Sequence, residues 1–272
     1  MQNKGKQKPV EMVRKPIIKG SWHGKDARKM AFKRFMSVVV TTIIYLFGSL
    51  LLSIDALWGR LLMAVTLAGG AMYYQYVNGI NRGENDAAYG EIIYGRRENG
   101  HKVAEVECER SYHPMKGFFA VLVGAAPFVI FAAVFACMTE TVYYSLGALP
   151  SWMDGLMNQT EVYTSLAYYE AAEPVSALGI MRVIDRAMIM PFVNIATYFG
   201  PEAVVLVERL SPLLVLVSPV GYGIGYLGGQ HLRDQVNTGI KVGDDRKKKR
   251  EMKARKKRQR QQRAPKKPEQ LV

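Results

Sequence analysis

The residue types that carry most enzyme chemistry are few and scattered in this sequence. The 272 residues include four histidines and two cysteines, Cys108 and Cys137. The histidines, at positions 23, 101, 113 and 231, lack the spacing that a metal site requires. A thiol or metal site around Cys108, with His101 and His113, is an alternative that nothing in the spacing demands. We therefore expect no catalytic residue, no metal and no cofactor, and we predict that the protein is not an enzyme.

Positive charge is the chemistry that the sequence does concentrate. Lys and Arg number 37 against 23 Asp and Glu, which gives a net charge of +14. Such an excess predicts contact with an anionic lipid surface, a nucleic acid or an acidic protein. The densest run lies near the C-terminus, and the residues that we expect to bind an anionic surface are Arg246, Lys247, Lys248, Lys249, Arg250, Lys253, Arg255, Lys256, Lys257 and Arg258.

The composition of this run indicates how it binds. Met252 and Ala254 are almost its only apolar residues, so attraction to a membrane would be electrostatic rather than insertion. It contains no aromatic residue, so any contact with RNA would follow the phosphates. Asp244 and Asp245 suit the start of a separate helix. Anionic lipid is the favoured partner, ahead of nucleic acid or a ribosome; the alternative is a solvated tail that only fixes orientation.

Four runs without a charged residue dominate the middle of the chain: 36–54, 61–77, 117–138 and 210–229. Each approaches the roughly 20 residues that a membrane-crossing helix needs. The sequence therefore predicts an all-α integral membrane protein, a four-span helical bundle. In the last run Gly221, Gly225 and Gly229 share one helix face, which favours close packing against another helix of this chain or of a partner.

The distribution of charge predicts the topology. Of the 37 Lys and Arg, 33 lie in 1–34, 78–116 and 230–272. Because basic segments stay inside, we expect a multi-pass protein of the plasma membrane (the cytoplasmic membrane if bacterial) with both termini cytoplasmic. The predicted segments are a basic N-terminal segment 1–34, a transmembrane hairpin 35–77, a cytoplasmic loop 78–116, a span 117–138, an external aromatic segment 139–209, a span 210–229 and a polybasic tail 230–272.

Two of these segments suggest local structure. In the loop 78–116, Asn99-Gly100 is a favoured hairpin turn, and the flanking residues predict a small β-hairpin. In the external segment, the stretch 187–207 starts with a short apolar run, Ala187 to Tyr198, which Gly200-Pro201-Glu202 then breaks. We expect a re-entrant or interfacial helix there, or half of an extra span. Charged residues nearby form either a buried polar cluster or interfacial ion pairs, and the candidates for the cluster are Arg182, Asp185, Glu202 and Arg209.

These features favour a non-enzymatic accessory, scaffold or assembly subunit that works through another membrane protein or through self-association. Its tail would contact anionic lipid headgroups. One alternative is a small transporter or channel subunit with a cavity near residues 182–212. A further alternative is a membrane protein that tethers a ribosome or RNA.

Overall fold

The computed structural model describes residues 12–51, 56–140 and 176–263, and throughout these ranges the regular structure is helical. A π-helical turn, Val65–Gly69, separates the second and third helices. The helices are α1 (Lys25–Leu51), α2 (Leu57–Ala64), α3 (Gly70–Glu98), α4 (Glu105–Glu109), α5 (Lys116–Met138), α6 (Ala177–Met188), α7 (Met190–Phe199), α8 (Pro201–Arg209) and α9 (Ser211–Arg263).

Three of the described helices, α1, α5 and α9, are long and apolar enough to cross a membrane. Their outward faces carry large apolar side chains, such as Ile43 on α1 and Ile130 on α5, which are 49% and 64% exposed. A soluble protein rarely exposes such continuous apolar surface, whereas lipid covers it. The predicted class, an all-α multi-pass membrane protein, is therefore supported.

The helices alternate in direction between two ends of the bundle. Lys116 at the start of α5 contacts Asp26 at the start of α1, and Tyr226 of α9 contacts Asp86 of α3 at the same level. We call this the basic end, because the N-terminal segment and the polybasic part of α9 emerge there. From it α1 and α5 run away, while α3 and α9 run towards it. Helix α9 packs most extensively against α3 and then against α5, and α1 packs against α5.

The second predicted run, 61–77, lies inside a longer helical stretch. Helix α2, the π-helical turn and α3 follow one another without an interruption from Leu57 to Glu98. The stretch passes from an apolar beginning to a polar end, and its polar part is covered by α9 and by an extended N-terminal segment. In that segment Ile18 donates a backbone hydrogen bond to the carbonyl oxygen of Gly90.

The predicted β-hairpin in the loop 78–116 was wrong. Residues 91–98 continue α3, and part of the second predicted arm forms α4. Gly100, with φ +80°, ends α3: its N–H donates to the carbonyl of Arg97, and the N–H of His101 donates to that of Arg96. This pair of hydrogen bonds is a Schellman cap, which uses Asn-Gly as readily as a hairpin turn does.

At the opposite end, residues 177–209 fold into three short helices. Pro191 and Pro201 each stand at a helix start, and Gly200, with φ +103°, separates α7 from α8. Helix α7 packs against α2 and α8, and Arg60 of α2 donates to the carbonyl oxygen of Asn194. None of the three has the length of a span. Residues 141–175, about half of the predicted external aromatic segment 139–209, lie outside the described residues, as do 1–11, 52–55 and 264–272.

The prediction that a separate helix starts at Asp244-Asp245 was wrong, because α9 continues through these residues. It runs without interruption from Ser211 to Arg263, 53 residues, or about 80 Å at 1.5 Å per residue. Residues 246–263 contain no Gly, Pro or β-branched residue, and Lys, Arg, Gln, Glu and Ala are strong helix formers. The helix that forms the last apolar run therefore carries the polybasic run as well.

Candidate functional sites

The three glycines predicted to form a packing face lie against α3 of the same chain. A Cβ at Gly221 would meet the carbonyl oxygen of Met72 at 2.5 Å. One at Gly225 would collide with the carbonyl of Tyr76, and one at Gly229 with the backbone of Gly83. The backbones of α3 and α9 thus approach so closely that only glycine, which has no Cβ, fits at these three positions of α9. Because the face is buried by α3, it is not an open surface for a second protein.

A buried cluster of charges joins four helices at the basic end. The Nζ atom of Lys116 lies 2.7 Å from Oδ2 of Asp26 and 3.4 Å from Oδ2 of Asp86. Arg82 contacts the same two carboxylates, with its Nη2 3.0 Å from Asp26 and its Nε 3.1 Å from Asp86. The Tyr226 hydroxyl donates a hydrogen bond of 2.8 Å to Asp86. Two cations and two anions therefore compensate one another where α1, α3, α5 and α9 meet.

Lys116 is fully buried, and its ammonium group also lies within hydrogen-bonding distance of three backbone carbonyls, those of Glu109, Arg110 and Ser111. Buried charges are tolerated only when such partners replace water. This cluster was not predicted from the sequence, because its four charged residues are far apart in the chain and resemble ordinary flanking charges: Asp26, Arg82, Asp86 and Lys116. The one available signal was Asp26, an acidic residue within a strongly basic segment.

Beyond this cluster α9 becomes a free helix, which we call the basic rod, residues 239–263. From Gly239 to Gln259 every residue except Val242 is exposed. All ten predicted surface-binding residues, Arg246 to Arg258, lie on it. Five of them are consecutive, and successive residues are turned by about 100°. The positive charge therefore surrounds the helix and does not form a single face.

The base of the rod is fixed to α3 by ion pairs. The guanidinium of Arg233 contacts Glu84 at 3.0 Å and Glu91 at 2.9 Å. One turn later Asn237 donates to Glu91 at 2.6 Å. The N-terminal segment adds a 3.6 Å contact between Arg14 and Asp234. These side chains set the direction in which the rod leaves the bundle.

At the opposite end the structure brings together part of the predicted polar cluster. Arg182 and Asp185 are buried, whereas Glu202 and Arg209 are exposed. The centre is instead Glu208, which is fully buried. Its carboxylate lies 2.6 Å from Nη2 of Arg186 and 3.5 Å from Nε of Arg182. Glu208 also accepts a hydrogen bond from the hydroxyl of Thr139, while Arg182 donates to the carbonyl of Glu140 at 2.7 Å. The pairs join α6 and α8 to the end of α5.

Asp185 differs from its neighbours in this cluster. It is fully buried, and neither carboxylate oxygen has a hydrogen-bond partner among the described residues. Burial raises the pKa of Asp185 to about 7, and the negative charge of Glu208 adds to the rise, while the nearby Ser211 hydroxyl opposes it. A carboxyl group of this kind exchanges a proton near neutral pH.

The described ranges contain no group of three or more His, Cys, Asp or Glu side chains arranged to hold a metal ion. Cys108 is half-buried, Cys137 is exposed, and neither forms a disulfide. Comparisons of the chain with protein-family models, with curated proteins and with solved structures find no match.

Proposed function

We propose that the protein crosses the membrane four times, with both termini in the cytoplasm, and serves as a non-enzymatic accessory or scaffold subunit. The alternating directions of α1, α3, α5 and α9 support four passes, with 61–77 as the second. Four passes put the three basic segments on one side, which the positive-inside rule makes cytoplasmic. The predicted location is the cytoplasmic or plasma membrane.

On this topology the basic rod stands in the cytoplasm and holds an anionic partner there. The observation that carries this proposal is the continuity of α9 from its apolar run to Arg263. A flexible tail would lie on the nearest anionic surface, which is the membrane, whereas a helix anchored in the bundle projects its charges outward.

The distance between the polybasic residues and the bilayer follows from helix geometry. Tyr226 lies level with Lys116, the last charged residue before the apolar run of α5. Arg246 is 20 residues further along α9, and therefore about 30 Å away. A helix tilt of about 40° would still leave about 23 Å. Surface charges are screened over about 8 Å at physiological salt. The polybasic residues are thus too distant for a strong attraction to the headgroups of their own bilayer, and the expected lipid contact is less well supported than RNA tethering.

The chemistry of the rod favours nucleic acid as the anionic partner. A coiled-coil partner needs an apolar seam with a heptad period, and Met252 and Ala254 do not provide one. Phosphates of a folded RNA can approach a helix that is charged on every face, and the contact requires no base reading. We infer that the protein tethers an RNA or an RNA-rich particle, such as a ribosome, to the membrane.

The test measures RNA binding to the full-length protein in lipid nanodiscs of two compositions, neutral and anionic. With the rod projecting, affinity should be almost the same in both, because the bilayers lie several Debye lengths away. A rod lying on its own bilayer would be sequestered by anionic lipid, and RNA affinity would fall by about tenfold or more.

Two variants make this test specific for charge. In one, every second Lys or Arg of the twelve in 246–263 becomes Gln; in the other, the same residues are permuted. The first should reduce affinity and about halve the dependence of log K on log salt, because fewer phosphates are neutralised. The permuted variant should bind like the natural protein. Equal RNA binding by the Gln variant, or no binding in neutral nanodiscs, would refute the proposal.

A second candidate function, solute transport coupled to protons, is favoured by one observation: Asp185 is buried, and its carboxylate oxygens have no hydrogen-bond partner in the described part of the chain. Ionisable groups of this kind often serve transport across membranes. The test is a solute or proton flux assay in proteoliposomes with Asp185→Asn, and with Arg209→Ala as a control, because Arg209 is exposed. Loss of flux in the first variant alone, at normal expression, would support transport; no flux in the natural protein argues for the accessory role.

A further inference from the structure

A cavity of about 230 Å³ opens between α1, α3 and α9 at the basic end. It is far larger than the ~10–15 Å³ that one water needs, so it has room for a phosphate group with part of its substituent. Its lining includes four cationic side chains and two polar ones: Lys29, Lys33, Arg34, Arg82, Asn78 and Tyr222. It is separate from the basic rod.

The charges around the cavity do not balance. Asp26 also lines it, but its carboxylate is occupied by Arg82 and Lys116. Asp86 contacts the same two cations. These four charges cancel. The other charged residues in the lining are Lys29, Lys33 and Arg34, which give it a local excess of three positive charges.

Arg34 is held in place by uncharged groups. Its Nη1 donates to Oε1 of Gln75 at 2.6 Å, and its guanidinium lies 4.0 Å from the centre of the Tyr222 ring. Its Nε is buried without a hydrogen-bond partner among the described residues. Lys29 and Lys33 have exposed side chains at the rim. A guanidinium held in this way by uncharged groups, with no carboxylate against it among the described residues, suits a bound oxyanion.

The depth of the cavity identifies the source of that oxyanion. The charge-free run of α1 starts at Phe35, immediately after Arg34. The cavity therefore lies where the apolar part of the bundle ends, at the level of phospholipid phosphates. Lys29 and Lys33 can extend their stems along this boundary with their ammonium groups in the headgroup layer. Basic pockets between membrane helices at this level bind anionic headgroups.

We propose that this cavity is a specific site for the phosphate of an anionic phospholipid. Arg34 contacts the phosphate from within, Lys29 and Lys33 close over it from the rim, and Asn78 offers its side-chain amide from α3. An acyl chain of the lipid would occupy a second, mostly apolar cavity of about 250 Å³, lined by Val40 and Ile44 of α1 and by Ala71 of α3 among others. The phosphate would neutralise part of the positive charge of the lining. This site is independent of RNA binding by the rod.

Native mass spectrometry of the full-length protein in neutral detergent tests the proposal. The protein is titrated with phosphatidylglycerol or phosphatidylcholine in 1 M salt and transferred afterwards for measurement, since a Debye length of ~3 Å suppresses adsorption to the rod. We expect one phosphatidylglycerol to be retained and phosphatidylcholine to bind about tenfold more weakly or worse. The variant Lys29→Gln/Lys33→Gln should lose about tenfold in affinity.

The matched control is Lys25→Gln/Arg28→Gln, which removes two exposed charges of the same helix outside the cavity and should bind as the natural protein does. Both variants change exposed residues, and equal melting temperatures will show that both fold. Equal losses in the two variants, or equal retention of the two lipids, would overturn the proposal. So would complete displacement by excess inorganic phosphate, because the site would then take free phosphate and not a lipid.

Discussion

The hydroxyl of Tyr226 donates a 2.8 Å hydrogen bond to Oδ2 of Asp86, the carboxylate oxygen that also faces the ammonium group of Lys116. All three side chains are buried. Through this contact the last long helix, α9, is joined to α3 and α5 at the level where the rod leaves the bundle. The buried cluster of charges at the basic end therefore helps to set the direction of the rod.

Removal of one anion from this cluster should destabilise the protein strongly. Asp86→Asn leaves Lys116 and Arg82 with Asp26 alone, and breaking a buried pair costs about 3–5 kcal/mol. The matched change on the same helix is Glu84→Gln, where Arg233 keeps its contact with Glu91, and we expect a loss of about 1 kcal/mol or less. Denaturation in neutral detergent measures both. Similar losses in the two variants would contradict the buried role of Asp86.

The glycine face should be intolerant of even one methyl group. Gly225→Ala places a Cβ against the carbonyl oxygen of Tyr76, a backbone atom that cannot yield, so we expect a loss of about 1–3 kcal/mol from overpacking. Gly228→Ala is the control, because its Cβ would meet only the flexible Ile80 side chain, at 3.4 Å. The same denaturation assay should find Gly228→Ala neutral or slightly stabilising. A harmless Gly225→Ala would mean that α3 and α9 do not pack closely.

The sequence predicted the apolar helices and the clustering of positive charge, because both depend on composition over long windows. It did not predict the pairing of charges. Lys116 and Asp86 are 30 residues apart, and their contact depends on how α3 and α5 pack. Asn99-Gly100 was misinterpreted because a hairpin turn and a helix cap both need a residue with positive φ, and only the conformation of residues 91–98 separates the two.

The cluster of charges around Glu208 was predicted only in part, because the sequence does not show which residues of α8 are buried. Glu208 and Arg209 are adjacent in sequence, and helix periodicity turns one inward and the other outward. Which of them is buried depends on the position of α6, whose Arg182 and Arg186 both face Glu208. Spacing alone therefore could not choose between Glu208 and the exposed Glu202.

Asp185 should make stability depend on pH. Its pKa of about 7 in the folded protein exceeds the value of about 3.9 expected for an unfolded chain. The folded state therefore binds one more proton between these values, so stability falls as pH rises from about 4 to about 7. The polar groups that act on Asp185 are Glu208 on α8 and Ser211 on α9, whereas Arg182 and Arg186 on its own helix pair with Glu208.

Asp185→Asn removes this dependence. At pH 8 the variant should be more stable than the natural protein, by at most about 4 kcal/mol for a shift of about three pKa units. The difference should shrink towards pH 5, where the natural carboxyl group is protonated. Thermal denaturation across this pH range measures it. A variant that is less stable than the natural protein at pH 8 would show that the carboxylate is paired.

The topology predicts which positions a membrane-impermeant thiol reagent can reach in intact cells. In a background with Cys108→Ala and Cys137→Ala, a cysteine at position 165 should be labelled without permeabilisation. Cysteines at 81 and 261 should be labelled only after the membrane is opened. Labelling of position 261 in intact cells would rule out two cytoplasmic termini and with them a cytoplasmic rod.

The central claim is that the basic rod projects away from the bilayer. Resonance energy transfer from a dye on the rod to labelled lipid tests this claim most directly. A donor dye at Gln259→Cys in the same cysteine-free background is combined with acceptor-labelled lipid in vesicles that contain anionic lipid. Gln259 lies 33 residues beyond Tyr226. A projecting rod therefore places the donor about 50 Å from the level of Tyr226 if the helix is upright, and about 38 Å away at a tilt of about 40°. A donor within about 10 Å of the headgroups, roughly one Debye length, would show that the helix lies on the membrane and would contradict the account.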